Sequence, residues 1–448
     1  MTDTLATASR VSDPGIRNLY SQESRWQSWL DVEAALAKAQ AELGIIPADA
    51  AQAIVRCAHL ELLDHARIKE GYDRTAHTLV PLVWELGRVV GEKHGGWVHW
   101  GATTQNITTV GDLLILRKAH GIFRKTILDL LKSLAILAEQ GKDMLMPGRT
   151  HGQHAVPITF GFKVAGWIDE ILRHLERFEQ ASPRIFSVVN GGAAGTYASL
   201  GERGPALQEK LAEHLEMTSM AVPSRAIGDG LTENICLLGM LAATCSRMAR
   251  EIYLLMKTDF SEVEEPVPEG TVGSSTMPQK RNPKLCQDIV GLAAEIRSIV
   301  PLALEAMQTE HEGDRTTTVM MDAAEGRACI ATGDMLIRLA TVMGGLKLNP
   351  VRMRSNLNHG GGLIMAEAVM LELGKLVGRQ HAHDIVYVAA QTAFSEKLSF
   401  ADLLCNDASV RKHLEPEQIY KLLEPKNYTG LCSSLAEEAV KRVQKYLD

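Results

Sequence analysis

Apolar positions in this chain recur at helical rather than strand spacing. Between Ser21 and Gly44, the residues Trp26, Trp29, Leu30, Ala34, Ala37 and Ala41 follow a 3.6-residue repeat, which predicts a first long helix. Ser21 or Glu23 opens it. Gly44 ends it and Pro47 follows, because glycine relaxes readily at a helix C-terminus and proline cannot continue one. From about Thr108 to Gly141 there is no proline and helix formers dominate. Further helical stretches are predicted near 158–182, 228–259, 284–312 and 318–344. Several exceed the ordinary globular length of roughly 11–12 residues. They carry apolar residues on more than one face, as in Leu113-Leu114-Ile115-Leu116. A helix apolar nearly all round is buried on all sides. The pattern therefore predicts a bundle of long helices, shared between subunits.

The flanks differ from this middle. A glycine-rich connection, Gly91 to Gly101, closes a region of moderate helices, and Pro350 marks the change to shorter helices broken by Gly360 to Gly362, Pro416 and Pro425. The expected organisation is an N-terminal helical domain at 1–102, a central long-helix domain at 103–345 and a small helical domain at 346–448. Composition agrees with an all-α fold: aromatics are only 5%, while Ala, Leu, Met, Glu and Lys are common.

Charge narrows the partners. A formal net charge of −7 gives neither a basic nucleic-acid surface nor attraction to anionic membranes, so an anionic substrate needs local positive charge. Seven scattered cysteines without a C-x-x-C pair read as free thiols in a reducing cytoplasm. The N-terminus shows no signal-peptide pattern, and no apolar stretch reaches membrane-spanning length.

Three segments carry chemistry. The first is the loop Pro266 to Pro283, PVPEGTVGSSTMPQKRNP, lying between long helices. An irregular stretch this long is either functional or a solvated connection. Its second half gathers Ser274, Ser275, Lys280, Arg281 and Asn282: hydroxyls, cations and an amide suited to holding a carboxylate. The second is Gly148-Arg149-Thr150-His151-Gly152-Gln153-His154-Ala155, whose histidines read first as polar residues at a helix start. A zinc site would want i, i+4 spacing and a third ligand. The third is Thr103-Thr104-Gln105-Asn106, a polar turn suited to capping the helix that follows. Rossmann and P-loop patterns are absent from the sequence.

GSSTMPQKRNP at 273–283 resembles the signature G-S-S-x-M-P-x-K-x-N-P of the fumarase/aspartase superfamily at every fixed position. GRTHGQHA is similar to that superfamily's second motif. Thr103 matches the first motif, while Thr104 and Asn106 stand where its adenylosuccinate lyase and carboxymuconate cycloisomerase branches commonly have Ser and Asp. The resemblance covers nearly the whole chain. Residues 160–167 and 189–204 look most like the cycloisomerase branch, Thr150-His151-Gly152 like adenylosuccinate lyase, and Gln279 like argininosuccinate lyase.

The resemblance implies a three-domain helical fold and anti β-elimination from a succinyl-type C–N or C–O adduct, giving fumarate or a fumarate-like product. Its alternative is a 3-carboxy-cis,cis-muconate cycloisomerase. It implies Ser274 as general base and His151 as acid. Lys280 and Asn282 would stabilise the carbanion as its aci-carboxylate, with Thr103, Thr104, Asn106, Gln153 and His77 around the substrate. His77 reads equally as a structural histidine, since Thr78 follows it where an Asp is usual. The implied partners are a di- or tricarboxylate and a homotetramer whose sites draw on three subunits, with no metal or organic cofactor, nucleic acid or membrane. One departure stands out. Many members pair the acid–base histidine with a glutamate five residues after the loop asparagine; here that position is Gln287. The Glu310-His311-Glu312-Gly313-Asp314-Arg315 run is another source of charge.

Overall fold

The computed structural model describes residues 5, 7–267, 274 and 276–447. Ser275, singled out above with its neighbour, lies outside the described residues. Ser21 caps the first long helix, α1 (Gln22–Glu42), by accepting the Ser24 N–H at 3.2 Å. A shorter α2 (Val80–Val90) follows, then α3 (Thr104–Gly141). The next four long helices are α4 (Phe160–Ile185), α5 (Asp229–Leu255), α6 (Lys284–Glu305) and α7 (Arg315–Gly345), after which α8 (Pro350–Leu357) opens a run of shorter ones. The long helices lie where the apolar pattern predicts. Their ends move by a few residues: α6 stops at Glu305 rather than near 312, and the chain turns through His311 at φ 52° before α7.

One expectation needs correction. The Arg-Thr-His segment does not open a helix. It forms a hairpin of β1 (Leu145–Thr150) and β2 (Gln153–Thr159), and α4 starts only at Phe160. His151 and Gly152 both have positive φ, 53° and 76°, and Thr150 pairs with Gln153. This is the mirror-image two-residue turn that matches strand twist, with glycine at its second position. Helical composition hid it because Pro147, Gly148, Gly152 and Pro157 interrupt the alternation and leave little period-2 signal.

A second correction concerns α7, which does reach membrane-spanning length, with mean hydropathy 1.2 in its most apolar window. Of that window 61% is buried within the protein. The helix also carries the acidic Asp322, Glu325 and Asp334, as a core helix can when partners are supplied.

Contacts divide the chain into two compact units. The first comprises 1–126, 174–245 and 291–337, the second 127–173, 246–290 and 338–448. The first has a core in which Trp29, Leu30 and Leu36 of α1 pack with Leu82 and Leu86 of α2 and Ile107 and Val110 of α3. It also holds a partly buried charge cluster. Arg25 donates to both carboxylate oxygens of Asp112, at 3.2 and 3.0 Å, and lies 3.5 Å from Asp322. Tyr20 donates to Glu325 at 3.1 Å. Burial, with nearby carboxylates, pushes Glu325 up to about 8; burial raises Asp112 to about 6 although Arg25 opposes it.

The second unit has a small core around Val369, Leu373, Val386, Phe400 and Leu404. Its own buried ion pair joins Arg149 of β1 to Glu262, through two bonds of 2.9 and 2.7 Å, with the Glu262 side chain wholly buried. Asn356 of α8 donates to Glu262 and to the Phe260 carbonyl, both at 2.8 Å, and the Arg149 guanidinium lies 4.7 Å from the Phe260 ring centre.

Candidate active site

In the first unit the Thr103–Asn106 turn begins α3. Asn106 is buried, and its carboxamide is fully engaged with backbone. Its oxygen accepts the N–H groups of Thr103 at 3.1 Å and Gly192 at 3.2 Å, while its nitrogen donates to the Val189 carbonyl at 3.3 Å. An aspartate could accept the first two bonds but could not make the third. Asparagine therefore suits this chain, tying the turn to the loop 189–195. Thr103 and Thr104 are half-buried, and neither hydroxyl has a protein partner among the described residues.

His77 precedes α2. Its Nδ1 accepts the N–H groups of Leu79 at 3.3 Å and Val80 at 3.2 Å, acting as a helix cap. With Nδ1 an acceptor, the proton of the neutral ring sits on Nε2. In the same unit His99 bonds to buried Glu33 at 2.6 Å; burial disfavours its charge, but Glu33 outweighs that and raises its pKa.

In the second unit His151 stands at the hairpin tip, exposed and without a protein partner among the described residues, with Gln153 exposed beside it. The hairpin is fixed close to its turn by the Arg149–Glu262 pair. Burial lowers the pKa of His154, and the charge of Arg149 adds to this.

Glu262 also begins the stretch that leads into the signature loop. Val263 and Glu264 pair with Leu348 and Lys347. Glu264 forms an ion pair with Arg281. Buried Glu265 accepts the N–H groups of Leu285 and Cys286, both at 3.1 Å, at the start of α6. The two ends of the loop are thus held by consecutive glutamates. Within it, the Ser274 hydroxyl oxygen accepts the Thr276 N–H at 3.4 Å and the Met277 N–H at 3.1 Å.

A cavity of about 930 Å³ opens beside the loop, lined among others by Lys257, Lys280, Asn282, Lys347 and Asn349. Lys257, Lys280 and Lys347 have no acidic partner among the described residues, so positive charge is concentrated on an acidic protein. Gln287 lies exposed near the start of α6. Among the described residues no group of three His, Cys, Asp or Glu is arranged to hold a metal.

A comparison with known families matches residues 8–298 to one described as Lyase and residues 362–439 to the adenylosuccinate lyase C-terminus. The chain belongs to the fumarase/aspartase superfamily of lyases. This lyase is 35% identical to an N-acetyl-S-(2-succino)cysteine lyase of Enterococcus italicus, over 98% of its own length and 96% of the relative's. It is 37% identical to an adenylosuccinate lyase of Methanothermobacter thermautotrophicus, over 98% of each chain. The solved 3-carboxy-cis,cis-muconate lactonizing enzyme of Pseudomonas putida superposes with a TM-score of 0.89 at 31% identity, covering 99% of this lyase and all of that chain. The all-α superfamily fold expected from sequence is the fold observed.

Sequence reading missed the residues that hold the motifs in place. Glu262 and Glu265 immediately precede the signature loop, and the acidic run Glu262-Val263-Glu264-Glu265 was their visible trace. Arg149 adjoins the histidine motif.

Proposed function

We propose that this lyase removes a proton beside a carboxylate of a 2-substituted succinate and expels the substituent from the opposite face, releasing fumarate or a fumarate-like product. The observation that carries the proposal is the environment of Ser274. A serine hydroxyl is a poor base unless its alkoxide is stabilised. Two backbone N–H groups already point at the Ser274 oxygen, and hydrogen bonds to a charged form favour that form. Lys280 and Asn282 stabilise the carbanion as it delocalises into the carboxylate. His151, free at its hairpin tip, protonates the leaving atom. Thr103, Thr104 and Gln153 supply donors to the substrate carboxylates. Asn106 serves as scaffold, and His77 offers its Nε2–H at the edge of the site.

The leaving atom is nitrogen, oxygen or sulfur. Sulfur enters through the cysteine-adduct lyase among the relatives. It suits the neutral Gln287, because a thiol of pKa about 8.5 leaves as thiolate with little acid assistance. The sites are completed in a homotetramer organised as three domains per chain. Apolar side chains left exposed on the long helices, Met240, Leu304 and Val319 among them, support a partner surface. Seven free cysteines support a reducing cytoplasm.

Incubation with fumarate plus amines, amino acids, AMP and thiols, followed by mass spectrometry, tests the reaction. A new succinyl adduct is expected, and Ser274→Ala should lower its formation by orders of magnitude while leaving the oligomer intact. Near-normal activity of that variant overturns the base assignment. Turnover of a carboxymuconate lactone alone would move the lyase to the cycloisomerase reaction, which the Pseudomonas neighbour supports.

A further inference from the structure

Arg225 lies in the segment between the short strand Thr218–Ser219 and α5, in the same unit as the Thr103–Asn106 turn. Three packed segments fix it. Gln105 clamps it twice: the Gln105 carboxamide oxygen accepts Arg225 Nε–H at 2.9 Å, and its nitrogen donates to the Arg225 carbonyl at 3.3 Å. Nη1 donates to the Ala193 carbonyl in the loop that Asn106 anchors. The guanidinium also packs close to Gly313, where an added Cβ would come within 3.3 Å of Cζ and Nη2. Gly195 lets this constellation close, since a Cβ there would sit 2.5 Å from the Pro223 carbonyl oxygen.

Among the described residues the guanidinium is therefore oriented by neutral oxygens. No carboxylate lies within ion-pair distance of it among the described residues, and Nη2 keeps both of its N–H groups free of protein acceptors. A half-buried cation held by two of its nitrogens, with the third unused, presents the planar edge that a carboxylate fits. Gln105, which aims it, is the residue immediately after Thr104, whose hydroxyl is also unpartnered.

We propose that Arg225 is a carboxylate anchor of the active site. It takes the substrate carboxylate that does not bear the developing charge, with Gln105 as its positioning residue. This rests on the succinyl-substrate reading. It assigns a cation to the part of the site contributed by the Thr103–Asn106 turn. With Lys280 supplying a second cation, the preferred ligands are dianions.

Calorimetric binding of fumarate and of its monoamide to the full-length oligomer tests this. The wild type should bind fumarate at least tenfold more tightly than the monoamide. Arg225→Gln should erase that ratio, and Arg225→Lys should restore part of it. A variant that has merely lost structure weakens both ligands alike and keeps the ratio. An unchanged ratio in Arg225→Gln, or no preference for fumarate in the wild type, overturns the assignment. Turnover is read separately. If no succinyl adduct forms or breaks while the ratio behaves as expected, the elimination reading falls and the anchor stands. If turnover proceeds with the ratio unmoved, the anchor falls alone.

Discussion

The two units bury arginine–carboxylate clusters of opposite balance. In the second unit one guanidinium meets one carboxylate, and that carboxylate also receives the Asn356 amide. In the first unit one guanidinium, Arg25, faces Asp112 and Asp322, with Glu325 close behind. Burial penalises charge in both clusters, but in the first unit one guanidinium faces more than one carboxylate. That cluster answers by holding protons, so Asp112 rises to about 6 and Glu325 to about 8. A matched pair behaves as a fixed clamp, while an unmatched cluster behaves as a titrating one.

The contrast can be broken most severely at Glu262. Glu262→Ala leaves Arg149 partly buried without its counter-ion, and breaking such a pair costs about 3–5 kcal/mol. Denaturant unfolding should show a loss of that order, accompanied by weaker His151-dependent turnover because the strand end next to the turn is released. A loss within experimental error would mean that Asn356 and Phe260 hold β1 without the pair.

A smaller, pH-dependent effect belongs to Glu325. In the unfolded chain a glutamate ionises near about 4.3. In the folded chain it keeps its proton up to about 8. Between those values the folded state binds more protons, so this contribution to stability is complete below the lower value and is lost as pH rises through the upper one. Glu325→Gln cannot titrate. Melting temperatures measured from pH 5 to 9 should show the variant gaining on the wild type until about pH 8 and then running parallel. Parallel curves throughout would remove Glu325 from the account. The least effect is expected from Gln287→Glu, which adds a carboxylate at an exposed position. It should move the limb of the pH–rate profile assigned to His151 to higher pH, and an unmoved limb would assign the proton to another group.

The long helices were legible because their burial is written in the apolar repeat, and the signature loop because its residue types are restricted by chemistry. The hairpin around His151 was not legible. Its turn depends on a backbone conformation that His151 adopts without any sequence requirement for it, and its strands, which carry Pro147 and Pro157, do not alternate regularly in burial. Asn106 was legible as a motif position but not as a scaffold, since its three backbone partners come from residues 103, 189 and 192. Arg225 was invisible for a related reason: its significance lies in what surrounds it and in the absence of an acid there.

The hairpin imposes a counting rule on any attempt to re-engineer this enzyme. Side chains on a strand alternate faces, so a segment changed by one residue turns every subsequent side chain over. Between the Arg149 clamp and the turn there is only Thr150, and one irregularity between Pro147 and Arg149 is already built in. The tip can therefore be lengthened in steps of two residues while the side chains of β2 keep their faces opposite β1. A single insertion or deletion would demand a second bulge to keep both the clamp and the imidazole where they are. The reach of His151 is in this sense quantised, and homologous tips that differ by an odd number of residues should show a compensating bulge nearby.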